Sequence, residues 1–343
     1  MQIGELTLSN PTVLAPLAGI SNLPFRLLAK MSGCGLVCSE MISANGLVYG
    51  SAKTEQMLKS VKDEKPLSVQ LFGSDPAIMA DAAAIVESRG ADIVDINFGC
   101  SVRKVVKTGS GVALMKTPNQ TKTLLTSVRK AIQIPLSIKI RSGWDSTGRE
   151  ALNIAEIAQD CGVDAIAVHP RTAGQLFKGL ADWSIITAVK KKVNIPVIGN
   201  GDIVSARDAL RMFTETGCDA IMIGRKAIGN PYIFSRVIAR LKGKEPPQED
   251  LSHRFDVMSH YLKASVDYIG EETACRMMRS RLGWFTRGMR NSSKFRESIK
   301  LMSSEKEGLE LIDAYRNYML YQSAKKSAVT RRGGPGIVYR SSS

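Results

Sequence analysis

No run of about 18 apolar residues occurs in this 343-residue chain, so a membrane-spanning helix is not expected. The opening MQIGELTLSN has neither the basic start nor the apolar stretch of a secretion signal, and the expectation is a soluble cytoplasmic protein. Cysteine pairs at C-x-x-C spacing are also missing. The six cysteines (Cys34, Cys38, Cys100, Cys161, Cys218 and Cys275) are scattered, which reads as reduced thiols and no metal site. The glycine fingerprint G-x-G-x-x-G is absent after the first strand-like run, where the turn reads APLAGISNLP, and this disfavours a doubly wound dinucleotide fold. Histidine is scarce: of three, only His169 falls in the first 250 residues.

Acidic residues are outnumbered. There are 47 Lys and Arg against 32 Asp and Glu, a net charge of +15. Such a balance attracts polyanions, nucleic acid first and acidic membrane second. With 44% apolar residues the chain can bury a sizeable core, and its length suits two domains or one large domain and a small one.

Short apolar runs recur through the first 240 residues: TVLAPLAG, LVCSE, LSVQLFG, IVDINFG, LSIKIRSG, AIAVHPR, PVIGNGD and AIMIGR. Amphipathic helical stretches such as PAIMADAAAIVESRG and SARDALRMFTETG lie between them, with Ser or Asp caps at the start and Gly at the end. Eight strands alternating with helices predict a closed (β/α)8 TIM barrel, with a doubly wound sheet as the alternative. Ligands of such barrels meet the C-terminal ends of the strands. Here those ends carry Ala15-Pro16-Leu17-Ala18, Glu40, Gln70, Asn97, Lys139, His169, Asn200 and Gly224.

Strands seven and eight end in GNGDI and GRKAIGNP. Loops at these positions commonly bind phosphate, so Asn200, Gly201, Asp202, Gly224 and Arg225 are candidates for a phosphorylated ligand. Gln70, Lys139 and His169 ring the same cavity. Lys139 alternates with Ile138 and Ile140 and so faces the barrel interior, where its charge needs an anionic partner. A reduced flavin supplies one at its N1–C2=O edge; a barrel carboxylate is the other choice.

After the Pro- and charge-rich LKGKEPPQED (241–250) the pattern turns wholly helical. Between Cys275 and Lys300 stand eight basic residues and one acid, Glu297. On a continuous helix Cys275, Met278, Leu282, Phe285 and Met289 share one face, while Arg276, Arg279, Arg287 and Arg290 share a neighbouring arc. An arginine stripe beside an apolar stripe suits a packed helix that offers one side to phosphates. The final segment lacks apolar periodicity and is expected to be a disordered basic tail. The division expected is thus 1–242 for the barrel, 250–322 for a small all-α RNA-binding domain, and 323–343 for the tail.

The segments APLAGISNLPFR, SEM, VQLFGSDP, DINFGCSVRKV, TGSGVALM, IKIRSGW, VHPRT, IPVIGNGDI and IMIGRKAIGNPYIF, in this order, resemble the tRNA-dihydrouridine synthases, with the bacterial B-type branch most similar. The resemblance implies a TIM barrel holding FMN, followed by a small helical domain, and reduction of uridine in tRNA to 5,6-dihydrouridine by NADPH. Matched residue by residue, it implies that Ala15, Pro16, Leu17, Ala18 and Gln70 contact the isoalloxazine. Lys139 and His169 hold the cofactor as well, and Asn200, Gly201, Asp202, Gly224 and Arg225 hold its phosphate. Cys100 matches the catalytic cysteine, and Asn97 and Arg141 match positions facing the uracil. Two positions depart from the pattern. Ser101 stands where proline usually follows the cysteine, and Ala173 stands where a second arginine is common. The first lifts a constraint on φ; the second removes a phosphate contact.

Saturating the C5=C6 bond of uracil takes a hydride, here from reduced FMN to C6, and a proton to C5. A thiol is mostly protonated at neutral pH and still a competent donor, which suits Cys100. Arg103 and Lys104, just beyond it, would meet the backbone of a polyanionic substrate. A monomer without metal or membrane association is expected. Three alternatives stay open at this level: ribosomal RNA as substrate, a small pyrimidine as in dihydroorotate dehydrogenases, and an RNA-binding protein on a degenerate barrel.

Overall fold

The computed structural model describes residues 1–248 and 250–332. The chain divides into two compact units, residues 1–247 and 248–343, and the division falls inside the 241–250 linker. Each is considered by itself.

The first unit carries the eight expected strands: β1 (Thr12–Leu14), β2 (Val37–Ser43), β3 (Leu67–Phe72), β4 (Ile93–Phe98), β5 (Leu136–Gly143), β6 (Ala165–Thr172), β7 (Val197–Asn200) and β8 (Ala220–Ile223). All are parallel, in the order β1-β8-β7-β6-β5-β4-β3-β2. A parallel bridge from Val13 to Leu36, with Leu14 N–H donating to the Leu36 carbonyl and Leu36 N–H to Thr12, closes the ring. The fold is a TIM-type barrel.

Helices cover the outer face of the sheet and the barrel's own side chains fill the inner one, which is why strands such as β4 are buried at every residue. The helices begin and end where the cap residues direct. Asp75 accepts from Ile78 N–H at 2.9 Å and Pro76 opens the helix Pro76–Ser88. Ser205 caps Ala206–Thr216, and Gly217, at φ +69°, ends it.

Inside the ring, period-2 alternation and parallel register stack the inward side chains in rows. Near the N-terminal end Ile93, Ala165, Ala167, Ile198, Ala220 and Met222 form an apolar plug. The hairpin Gln2–Ile3 and Leu6–Thr7 covers this end with Ile3 and Leu8. Towards the C-terminal end the same rows turn polar. Gln70 sits beside Asp95, Asp95 beside Ser137, Asn97 beside Lys139, and Arg141 beside His169. Apolar packing thus fixes where the polar side chains of the mouth stand.

The second unit contains helices Leu251–Ile269, Glu271–Phe285, Ser292–Ser298 and Glu305–Arg332. Phe255, Met258, Leu262, Cys275, Met278, Leu282, Phe285, Phe295 and Ile312 form its core. The last helix runs on to Arg332, into the segment expected to be a tail; residues 333–343 lie outside the described residues. No described helix is long and apolar enough to cross a membrane.

Candidate active site

Cys100 stands two residues beyond β4, partly exposed. The backbone around it is held from three sides. Asn97 Oδ1 accepts from Gly99 N–H at 3.1 Å and Cys100 N–H at 2.8 Å. Arg141 Nε donates to the Gly99 carbonyl at 2.7 Å, and Val112 N–H donates to the Cys100 carbonyl at 3.0 Å. Gly111 follows from this crowding: a Cβ there would sit 2.5 Å from the Cys100 carbonyl oxygen, at φ +64°. Losing the Asn97 acceptor would strand two N–H groups, at a cost of about 1–3 kcal/mol each where water is excluded.

The mouth is strongly cationic. Lys139 is half-buried, and among the described residues no carboxylate lies within ion-pair distance of it. Burial, and then the Arg141 charge, push its ammonium down to about 8, against the pull of Asp95 and Cys38. Arg141 is buried; its Nη1 donates to the Thr172 and Leu176 carbonyls at 3.2 and 2.9 Å. His169 lies amid these cations. Burial, then Lys139, Arg141, Arg171 and Arg225, drive its imidazolium down to about 2, so the ring is neutral. Its Nε2 lies 3.2 Å from Arg171 Nη1. An arginine can only donate, so Nε2 accepts and the ring proton sits on Nδ1.

Sequence reasoning missed Arg171, Asp95 and Phe177. Arg171, buried on β6 two residues past His169, pairs with Asp202 at 2.6 and 2.7 Å. Asp95 is buried on β4 between Gln70, whose Nε2 donates at 2.6 Å, and Ser137, whose hydroxyl donates at 2.7 Å. Its carboxyl is raised by burial, while Gln70, Ser137 and Lys139 oppose the rise. Both residues lie on inward positions, so the alternation that singles out Lys139 also reaches them. Phe177 has no such signal. It lies on the loop after β6, exposed, with its ring 5.2 Å from the Arg225 guanidinium, 5.9 Å from that of Arg141 and 6.4 Å from the His169 ring.

The predicted phosphate loops do meet. Ala15 N–H donates to the Ile223 carbonyl at 3.0 Å, and a Cβ on Gly224 would touch Ala15 and Leu17. Asn200 Nδ2 donates to the Met222 carbonyl at 2.7 Å. Gly201, at φ +127°, lies so close to Ala181 that a Cβ would come within 2.8 Å. Asp202 engages two arginines. At φ +55° its carboxylate accepts from Arg171, from Ala181 N–H at 2.7 Å and from Arg225 Nη2 at 3.1 Å. Burial alone would raise its carboxyl; the hydrogen bonds and charges of Arg171 and Arg225 bring it below the usual range. The Asp202 carboxylate thus orients Arg171 and Arg225. Pro16 and Leu17 are half-buried and Ala18 is exposed on the β1 loop.

Arg103 and Lys104 are exposed on the short helix Arg103–Val106, just past Cys100. The arginine stripe of the second unit is not one helix face. Its helix stops at Phe285, so Arg287 and Arg290 sit on the following turn, where Gly288 takes φ +84°. Arg276 pairs with Glu272 at 3.3 Å, and Arg279 spends Nε and Nη2 on the Met302 carbonyl at 3.0 and 2.8 Å. The apolar face is as expected at Cys275, Met278, Leu282 and Phe285, all buried.

The family model described as dihydrouridine synthase (Dus) matches residues 13–320. The chain belongs to the dihydrouridine synthase family. It is 37% identical over 332 residues to tRNA-dihydrouridine synthase B of Pasteurella multocida, covering 96% of this chain and 100% of that one. It is 38% identical over 316 residues to tRNA-dihydrouridine synthase B of Salmonella typhimurium, covering 92% and 98%. The B-type branch read from the motifs is therefore the right one within this family. Among solved structures, histamine dehydrogenase from Rhizobium sp. 4-9 superposes with a TM-score of 0.55 at 13% identity, over 77% of this chain and 50% of that one, a likeness of fold.

Proposed function

We propose that this dihydrouridine synthase reduces uridine in tRNA to 5,6-dihydrouridine, with FMN in the barrel mouth, NADPH as electron donor and Cys100 as the acid. One observation carries the reading: the backbone at Cys100, just past strand four, is fixed by Asn97 and Arg141 at a mouth whose Lys139 ammonium has no carboxylate within ion-pair distance among the described residues. The B-type relatives carry the name of this activity along the same length of chain.

The residues present fit a phosphorylated, anionic cofactor. Lys139, Arg141, Arg171 and Arg225 give four cations, against carboxylates at Asp95, Asp202 and, near the end of β2, Glu40. A neutral ring with its proton on Nδ1 makes His169 a donor. Gly201 lets backbone approach closely where any side chain would collide. Lys139 and His169 would hold the ring system, and Gly201, Gly224 and Arg225 the phosphate. Bound there, reduced FMN supplies a hydride.

The chain's own work is the proton and the geometry. Cys100 gives its Sγ proton to C5 as charge develops on the base. Arg141, fixed by three carbonyls, places a positive charge beside that thiol. Ala15, Pro16, Leu17 and Ala18 line the β1 side of the mouth. Arg103, Lys104, Arg287 and Arg290 are exposed cations able to meet phosphates.

The test is to incubate the purified chain with FMN, NADPH and unmodified tRNA, with ribosomal RNA and orotate as parallel substrates, and to measure 5,6-dihydrouridine in the RNAs and dihydroorotate from orotate by mass spectrometry. Product in tRNA alone is expected. Reduction of orotate or ribosomal RNA instead would overturn the substrate assignment.

A further inference from the structure

Four inward side chains form one unbroken hydrogen-bonded row beneath the mouth. Ser137 Oγ donates to Asp95 Oδ1 at 2.7 Å, Gln70 Nε2 donates to Asp95 Oδ2 at 2.6 Å, and Asn97 Nδ2 donates to Gln70 Oε1 at 2.8 Å. The row ends with Asn97 Oδ1 accepting from Gly99 and Cys100 N–H. All four residues are at least nine-tenths buried, so water does not compete for these groups.

A primary amide has a donor end and an acceptor end, and each amide in the row has both ends engaged. The Asp95 carboxyl accepts at both oxygens, at one from Ser137 and at the other from Gln70. Asp95 therefore takes the NH2 end of Gln70, which leaves the Gln70 oxygen facing Asn97. That oxygen takes the NH2 end of Asn97, which leaves the Asn97 oxygen facing the loop. Reversing either amide would set donor against donor, or NH2 against the Gly99 and Cys100 N–H groups. The direction of the row is thus matched at both ends, by the accepting Asp95 oxygens and by the donating Gly99 and Cys100 N–H groups.

We infer that Asp95 is a positioning residue for the proposed proton donor: it anchors the buried end of the row that, through Gln70 and Asn97, holds the Cys100 backbone in place. The inference rests on the reading of Cys100 as the acid, but the direction of the row does not. It explains why a costly buried carboxylate stands on β4, where an apolar residue would pack as well. The other titratable groups facing Asp95 are Lys139 on β5 and Cys38 on β2.

The direct test is Asp95→Leu, of similar volume, beside Asp95→Asn. The asparagine can still offer an oxygen to Gln70 and its NH2 to the Ser137 hydroxyl, so it restores the row. Alkylation by iodoacetamide is read at Cys100 alone by peptide mass spectrometry, with folding checked by circular dichroism. In Asp95→Leu the Cys100 rate is expected to change severalfold, and kcat for RNA reduction to fall roughly tenfold or more at unchanged KM. Asp95→Asn should behave as the native chain. A folded Asp95→Leu with native alkylation overturns the inference.

Should Asp95→Leu not fold, Gln70→Glu decides the matter. The introduced carboxyl and Asp95 would share one proton at low pH and keep the row, then repel when both ionise. The ratio of variant to native alkylation at Cys100 should therefore step as pH rises; a flat ratio contradicts the inference. Alkylation reads the loop whether or not tRNA is reduced, so a failed substrate assignment and a failed positioning role give different results.

Discussion

In the barrel, Arg141 and Arg171 are buried at strand ends and fixed by carbonyls, by His169 and by Asp202. In the helical unit, arginines that share an arc on paper go separate ways. Arg276 pairs with an acid, Arg279 braces Met302, and Arg287 and Arg290 stand exposed on a turn. A closed ring of parallel strands leaves an inward residue one direction to point, and neighbours in register fix its height. A helix offers a continuous face only while it lasts. Here it lasts to Phe285, and Gly288 then takes a left-handed conformation that turns the chain away.

Several substitutions would sharpen or break this contrast. The largest effect is expected at the mouth: Cys100→Ala should slow tRNA reduction by roughly 10²- to 10⁴-fold while NADPH still bleaches the bound flavin. Stopped-flow measurement of the two half-reactions checks it, and normal reoxidation by tRNA would remove the thiol from the chemistry. Next is Gly201→Val, which forces a branched side chain against Ala181 at φ +127°. A stability loss of about 1–3 kcal/mol in urea unfolding is expected, with weakened FMN retention.

A smaller effect comes from His169. The unfolded chain takes up a proton near pH 6.5 that the folded barrel refuses until about 2, so stability falls as pH drops through that window. His169→Gln should flatten that fall by up to about 1.4 kcal/mol per pH unit, read from urea midpoints between about pH 4 and about pH 6. An unchanged slope would mean the ring titrates normally. The smallest effects are in the helical unit. Arg287→Ala and Arg290→Ala should each lower the salt dependence of RNA binding by roughly one unit. Arg279→Ala should leave that slope alone and lower stability by about 1.5 kcal/mol instead. The reverse pattern would restore the single stripe.

How much of this the sequence discloses follows from the same physics. The eight strands are readable because buried parallel strands are short apolar runs bounded by Gly and Pro, as in IVDINFG. Lys139 is readable as an inward residue by alternation, and His169 and Asn97 by their place at strand ends. Asp95 and Arg171 obey the alternation rule yet escape notice, because a charged residue on a strand stands out only once its neighbours in space are known. Asp202 looks like a phosphate ligand from its glycine-flanked setting; its left-handed backbone and its two arginines belong to tertiary structure. Phe177 lies on a loop without periodicity, which gives alternation nothing to act on. Where the second unit's helix ends hinges on Gly288, whose effect local sequence leaves open.

The most direct measurement is FMN retention through gel filtration, comparing the native chain with Lys139→Met. The native chain should emerge yellow with FMN bound. Lys139→Met, deprived of a mouth cation that has no carboxylate within ion-pair distance among the described residues, should lose most of it. A native chain that emerges colourless after incubation with FMN, or a Lys139→Met variant that holds it equally well, would contradict the barrel mouth as the cofactor site.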